Sequence, residues 1–210
     1  LRYVDHVGAL GTPDMILLPG TKSTIRDLDW LRSTGLEAKI LQKHARGTLI
    51  LGICGGFQML GTEVIDVEGV EGPAGACARG LGLLPLRTEF EAEKSRTQTS
   101  LVLEGLTGEF AALNGQRVDG YEIHMGRTNN YVYYQEGNVF GTYLHGFFDR
   151  DGLRNAFVER LCRRKGIDPG DREVVNYEAF KEAQFAKLSA ALRASLDMAR
   201  IYEILQGGQA

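Results

Sequence analysis

The stretch Thr48-Leu-Ile-Leu-Gly-Ile-Cys-Gly-Gly-Phe-Gln-Met-Leu-Gly61 decides how this chain is read. Thr48 to Ile53 is an apolar, β-branched run of the length expected for a strand covered on both faces. Gly52, Cys54 and Gly56 then give the spacing Gly-x-Cys-x-Gly, a nucleophile elbow with cysteine where many hydrolases carry serine. The turn is sharp, so its flanking positions must tolerate close backbone approach, which favours glycine. It lifts the sulfur to the end of a sheet and sets it at a helix N-terminus, where the dipole and free N–H groups favour thiolate over thiol. A cysteine within an apolar strand is more often a small core residue. Cys54 lies past the strand, with Gly55-Gly56 opening a helix, and reads as a nucleophile.

Upstream, Asp14-Met-Ile-Leu-Leu-Pro-Gly20 is a second short buried strand, stopped by Pro19-Gly20 and followed by the polar loop Thr21-Lys-Ser-Thr24. A helix starts near Ser23 or Thr24 with Ile25, Leu28 and Leu31 on its apolar face. Ser33-Thr-Gly35 interrupts it. Leu36, Ile40, Leu41 and His44 continue at helical spacing until Gly47. This β-α-β order implies a parallel sheet with right-handed crossovers. Active sites of such sheets sit at the carboxyl ends of strands, where Gly20 and Cys54 both fall. The expected fold is α/β, an open, mostly parallel sheet flanked by helices. Leu1–Val7 reads as the end of a strand, so the sequence is expected to be an N-terminally truncated piece of something longer.

Downstream, the helix after the elbow is expected to finish and lead out through Met59–Val67. Glu68–Arg79 reads as irregular, Leu81–Phe90 as strand, Glu91–Thr99 as an exposed loop and Ser100–Leu103 as strand. Residues 105–114 carry no clear pattern. Gly120–Thr128 alternates like a strand, and Tyr131–Tyr134 with Asn138–Leu144 forms a hairpin across Gln135-Glu-Gly137. Asp149 or Asp151 can cap a helix running to Lys165. Its basic end, Arg160, Arg163, Arg164 and Lys165, reads as a solvated, dipole-compatible terminus. A last helix, about Asn176 to Leu205, has Phe185, Leu188, Leu192, Leu196 and Ala199 on one face and is expected to pack on the sheet or on a missing neighbour. The tail 207–210 is expected to be loose.

A chain of 210 residues with 43% hydrophobic residues suits a single α/β domain with a sizeable core. The net charge of −3 offers no nucleic-acid surface. No run reaches membrane-spanning length or has signal-peptide form. Cys54, Cys77 and Cys162 are too scattered for a disulfide framework or a metal-spaced pair. A cytoplasmic, reduced protein without a metal site is the expectation.

A thiol nucleophile needs a base and an oxyanion site. The N–H of Gly55 points where an oxyanion would form, and a second donor comes from the loop after Gly20. His145 is the best of four histidines as base, since it stands in a strand-end turn beside Gly146. His124 shares its side-chain direction with Glu122 and either lines the pocket or packs. His6 and His44 read as structural or surface residues. Glu122 and Asp149 are the candidates to orient His145, and nothing in the sequence chooses between them.

These residues resemble a family. Gly-Ile-Cys-Gly-Gly-Phe-Gln-Met-Leu-Gly at 52–61 is similar to the nucleophile motif of triad-type (class I) glutamine amidotransferase domains. The nearer resemblance is to the C-terminal glutaminase domains of cobyric acid synthases. It is carried by Leu-Leu-Pro-Gly-Thr-Lys-Ser-Thr at 17–24, Gly-Leu-Gly-Leu-Leu-Pro at 80–85, Gly-Tyr-Glu-Ile-His-Met-Gly-Arg-Thr at 120–128 and Gly-Thr-Tyr-Leu-His-Gly at 141–146. It spans nearly the whole chain, 1–210 as one glutaminase domain with a helical extension at about 171–206.

The resemblance implies that Cys54 attacks the side-chain amide of glutamine and that His145 relays protons. Ammonia leaves, and water hydrolyses a γ-glutamyl thioester. It also implies oxyanion N–H groups at Gly20 and Gly55, a glutamine contact at Gln58, and no cofactor in this domain. An N-terminal ATP-dependent synthetase domain, using ATP and Mg, would take the ammonia and amidate a corrinoid, adenosylcobyrinic acid a,c-diamide. The alternatives are a glutaminase serving cobyrinic acid or a peptidoglycan precursor, a general cysteine hydrolase or peptidase, and an inactive binding or regulatory module. One departure stands out: Phe147 occupies the position two after the histidine, where most triad-type members carry glutamate.

Overall fold

The structure is a computed structural model and describes residues 1–170 and 176–207. Along the chain, α1 (Val7–Leu10) leads into β1 (Met15–Leu18), α2 (Thr24–Ser33), α3 (Leu36–Ala45) and β2 (Leu49–Ile53). The elbow opens α4 (Gly55–Leu60), followed by β3 (Glu63–Asp66), β4 (Ala76–Arg79) and β5 (Arg87–Val102). A 3₁₀ turn at Gly108–Leu113 precedes β6 (Arg117–Thr128), β7 (Tyr133–Glu136) and β8 (Val139–Thr142). The helices α5 (Asp151–Arg164), α6 (Tyr177–Ser195) and α7 (Met198–Leu205) complete the described chain.

One sheet runs β1-β2-β8-β7, with β1, β2 and β8 mutually parallel and β7 antiparallel at the edge. This is the open, mostly parallel sheet that the sequence predicts, with helices on its faces. Alternation along β1 and β2 divides the interior. Ile16, Leu18 and Ile50 join the core beneath α2, α3 and α4. Leu49 and Leu51 join the core with Phe110, Phe140, Phe147 and Phe157, on the side of the 3₁₀ turn and α5. Ile50 and Leu51 are wholly buried, each contributing about 1.5–3 kcal/mol by removal from water.

A second sheet, β4-β3-β5-β6, was not expected. Met59–Val67 contains a strand rather than a simple exit from the helix. Glu68–Arg79 ends in one, and Glu91–Thr99 is mostly ladder rather than loop. The segment 91–99 hid because its side chains are largely exposed and polar. Its order comes from backbone pairing with β6, from Ser95↔His124 to Val102↔Arg117. Leu81–Leu86 is no strand. It wraps the end of α4, with the N–H groups of Leu83 and Leu84 donating to the Leu60 carbonyl at 2.9 Å, which buries Leu81, Leu84 and Leu86.

Expectations for the two ends of the chain are also corrected. Residues 1–6 form no strand: Leu1 and Tyr3 are fully exposed, with no neighbouring strand to pair with. Neither Asp149 nor Asp151 caps α5. Asp149 meets Lys181 at 3.1 Å and Asp151 accepts from the Tyr177 N–H at 3.0 Å. The last helix is two, because Asp197 ends one run and caps the next by accepting from the Arg200 N–H. The face of α6 carrying Phe185, Leu188 and Leu192 is exposed and does not pack on the sheet. The basic end of α5 is solvated as expected, with Arg163, Arg164 and Lys165 exposed, and it also carries two ion pairs, Arg160 to Glu109 and Lys165 to Asp14, each at 2.8 Å. The expected start of the extension at 171 and the tail at 208–210 lie outside the described residues.

Candidate active site

Three adjacent strand ends build the site. β1 ends before Pro19-Gly20, β2 before Cys54, and β8 three residues before His145. The parallel register sets these ends side by side, and the Cys54 N–H donates to the Thr142 carbonyl at 2.8 Å. A Cβ added to Gly20 would stand 3.4 Å from Cys54 Cβ and 3.5 Å from His145 Cε1. Gly20 therefore occupies the space between the two side chains, and its lack of a Cβ keeps that space open.

Cys54 has φ 53° and ψ −112°, a backbone conformation that L residues rarely hold. Such strain stores about 1–3 kcal/mol. Here it is imposed by a strand and a helix meeting without a spacer. The side chain is 7% exposed and its thiol donates to the Ile123 carbonyl at 3.8 Å. Burial pushes the thiol above its usual range, the Gly55 N–H beside the sulfur opposes that, Glu71 adds to the rise and Lys94 opposes it. The expectation that the helix terminus would yield a resting thiolate is thus reversed, because desolvation of a charge outweighs one turn of a six-residue helix.

His145 is held by its backbone and by a ring. It exchanges hydrogen bonds with Tyr121 in an antiparallel bridge, at 2.9 and 3.2 Å, so it joins the turn after β8 to β6 of the second sheet. The Tyr121 ring stacks on the imidazole at 5.0 Å between centroids. Nε2 is buried without a hydrogen-bond partner among the described residues. Burial holds the imidazole below its ordinary pKa, and His124 lowers it further. A raised thiol and a lowered imidazole leave both groups neutral over the range between their pKa values.

That sign has a consequence. Alkylation of Cys54 by iodoacetamide, which follows the thiolate fraction, is expected to climb through and beyond about pH 8. A plateau already reached in mildly acidic buffer would mark a preformed thiolate–imidazolium pair and contradict the raised thiol and lowered imidazole. Site-resolved mass spectrometry measures it, with Cys77 as the exposed internal comparison.

The remaining sequence-predicted residues fall into an adjoining layer. Glu122 and His124 do share a side-chain direction, but they serve each other: His124 Nε2 lies 3.4 Å from Glu122 Oε2, and Glu122 accepts from Thr99 at 2.7 Å. His124 also bonds the Gly126 carbonyl at 2.6 Å and stacks on Tyr143 at 3.7 Å. No described carboxylate hydrogen-bonds His145. Phe147, at the position of the usual glutamate, is buried against Phe140 and Phe148. Gln58 is 3% exposed; its Nε2 donates to Tyr143 Oη at 3.2 Å and its Oε1 accepts from Thr24 at 3.0 Å.

Sequence reasoning passed over three contributors. Tyr143 links Gln58 to Thr128, and burial raises its phenol far above the ordinary range, so it stays a neutral hydrogen-bonding group. Tyr121 supports His145. Glu71 accepts from the Thr24 hydroxyl at 3.0 Å and the Ile25 N–H at 3.3 Å, presented by a loop whose amides at Val70, Glu71 and Gly72 converge on buried Asp66. Tyr143 and Tyr121 were within quoted motifs, and their spacing of two from His145 and from Ile123 was the available signal. Glu71, within an irregular glycine-rich stretch, offered none. Among the described residues no group of three or more His, Cys, Asp or Glu could hold a metal ion, and no helix is long and apolar enough to cross a membrane.

Residues 1–153 match the family profile of the CobB/CobQ-like glutamine amidotransferase domain. The chain is 43% identical to the cobyric acid synthase of Lachnoclostridium phytofermentans, over 99% of this chain and 45% of that protein. It is 39% identical to the cobyric acid synthase of Alkaliphilus metalliredigens, over 99% of this chain and 46% of that one. The chain thus spans less than half the length of these curated relatives. A solved glutamine amidotransferase superposes with TM-score 0.51 at 20% identity, covering 76% of this chain and 85% of that one. The PurLQS structure from Thermotoga maritima gives 0.53 at 19%, with the same coverage. These two likenesses concern the fold.

Proposed function

The chain belongs to the CobB/CobQ-like glutamine amidotransferase domains, and from that premise we propose that it hydrolyses glutamine at Cys54 and hands on the ammonia. The observation that carries this reading is the meeting of Cys54, His145 and Gly20 at three neighbouring strand ends. In the proposed step, Cys54 Sγ attacks the carboxamide carbon of glutamine while Nε2 of His145 takes the thiol proton. The developing oxyanion is met by the Gly55 N–H and by the loop at Gly20. His145 returns the proton to the departing nitrogen, and ammonia leaves a γ-glutamyl thioester. Water, deprotonated by the same imidazole, cleaves the thioester to glutamate and frees the thiol.

Gln58 fits the role of shaping the glutamine site through Thr24 and Tyr143. Glu122 and His124 support the same wall. With Phe147 in the core, the bridge and stack to Tyr121 take over the orienting work that a carboxylate does elsewhere.

The similarity over 99% of this chain to cobyric acid synthases favours a corrinoid as the final acceptor. We place ATP, Mg²⁺ and the corrinoid, adenosylcobyrinic acid a,c-diamide, in the synthetase portion that makes up the rest of such proteins. Ammonia released at Cys54 would pass to it.

Covalent capture tests the reading. A glutamine-mimicking electrophile should add once, at Cys54, and excess L-glutamine should protect. Released glutamate and ammonia should appear in equal amounts. Labelling distributed over Cys54, Cys77 and Cys162 without glutamine protection would overturn it.

A further inference from the structure

β5 leaves its ladder with β6 at one place. Phe90 faces Gly126 and Ser95 faces His124, so Glu91 to Lys94 stand opposite Met125 alone. This bulge borders a cavity of about 200 Å³ whose other walls include His124, Gly126 and Arg127. Glu91 is tied to Arg127 at 2.9 Å. The side chains of Glu93 and Lys94 have no ion pair or hydrogen bond among the described residues, although both line the cavity. Bulges of this kind commonly re-aim side chains beside active sites.

Cys54 and His145 do not line the cavity, but one of its walls leads back to them. Its His124–Gly126 wall continues from Ile123, whose carbonyl receives the Cys54 thiol. A Cβ added to Gly126 would lie 3.1 Å from Gln58 Nε2, so the same wall touches the buried network behind the elbow. The charge of Lys94 favours thiolate at Cys54, the smallest of the influences named above.

Two unpaired, opposite charges on consecutive residues, facing one small cavity whose wall is continuous with the acceptor of the Cys54 thiol, match an amino-acid zwitterion. We propose that Lys94 is the counter-ion of the α-carboxylate of free glutamine and that Glu93 faces its α-ammonium. The bulge would then select free glutamine over carboxamides that lack a charged head. This rests on the glutamine reading above. Exposed charges such as these contribute little to folding, and a ligand seated between them would exclude water and strengthen the pairing.

The test needs no turnover. Modification of Cys54 by iodoacetamide is followed by mass spectrometry against rising L-glutamine, which gives a half-protecting concentration. In Lys94→Gln that concentration should rise about tenfold, as expected for losing a charged hydrogen bond. Lys94→Arg should stay near wild type. Glutamine α-amide, which lacks the carboxylate, should protect wild type and Lys94→Gln equally. Lys94 is exposed, so the denaturation midpoint should not move. Equal half-protection by L-glutamine in wild type and Lys94→Gln, or an equal shift with the α-amide, would overturn the role of Lys94. Absence of protection by glutamine in the wild type would instead remove the glutamine reading on which it stands.

Discussion

Cys54→Ala should abolish glutamate release, a fall on the order of 10⁴-fold or more in kcat, and His145→Ala should lower it on the order of 10³-fold. Under the proposed function no other described group can take over the covalent step. Cys77 and Cys162 lie elsewhere, and Cys77 is exposed on β4, 3.1 Å from Glu63. Alanine keeps the Cβ and the left-handed backbone at position 54, so the strain is the same and the fold should remain. At position 145 the bridge to Tyr121 is made by backbone atoms and survives loss of the imidazole. Only the ring stack on Tyr121 and the buried Nε2 disappear. Steady-state glutamate release, with circular dichroism to verify folding, measures both. Substantial release by folded Cys54→Ala would contradict the assignment.

Gly56→Ala should destabilise the protein by about 3 kcal/mol or more, at the upper end for overpacking. The added Cβ would stand 2.6 Å from the Leu18 carbonyl carbon and 2.9 Å from Leu18 Cβ, and closer still to the carbonyl oxygen. Neither neighbour can yield: Leu18 is paired in β1 to Gly52 of β2, and α4 is clamped between β1, β2 and β8. Relief would require separating α4 from β1, which would also pull Cys54 away from Gly20. Gly72→Ala is the comparison. Nothing lies within 4 Å of its Cβ position, and its φ is not left-handed, so the change should be within about 1 kcal/mol of neutral. Urea denaturation midpoints of the two variants should therefore separate widely. A Gly56→Ala protein as stable as wild type would show that α4 does not sit against β1 as described.

The first sheet was legible because its strands are buried on both faces. Met15–Leu18 and Leu49–Ile53 must be continuously apolar, and Gly20, Gly47 and Gly55-Gly56 punctuate them. The second sheet was not. Thr97, Gln98 and Ser100 are exposed on a strand whose order comes from its ladder with β6, and a backbone ladder leaves no trace in side-chain hydrophobicity. The bulge at 91–94 reads as loop for the same reason.

The sequence by itself determined that a cysteine stands on a strand-to-helix elbow, that a parallel sheet carries it, and that Gly20 and His145 lie at strand ends. Side-chain periodicity and turn residues encode those local facts. Tertiary structure alone decided what surrounds the sulfur. Burial reversed the expected thiolate, and the second sheet supplied Ile123, His124 and Tyr121. Glu122 was drawn to His124 rather than to His145, and the β5 bulge set Lys94 beside His124 and Gly126. Those outcomes depend on desolvation and on pairing between residues far apart in the chain, and neither is written in any one stretch of it.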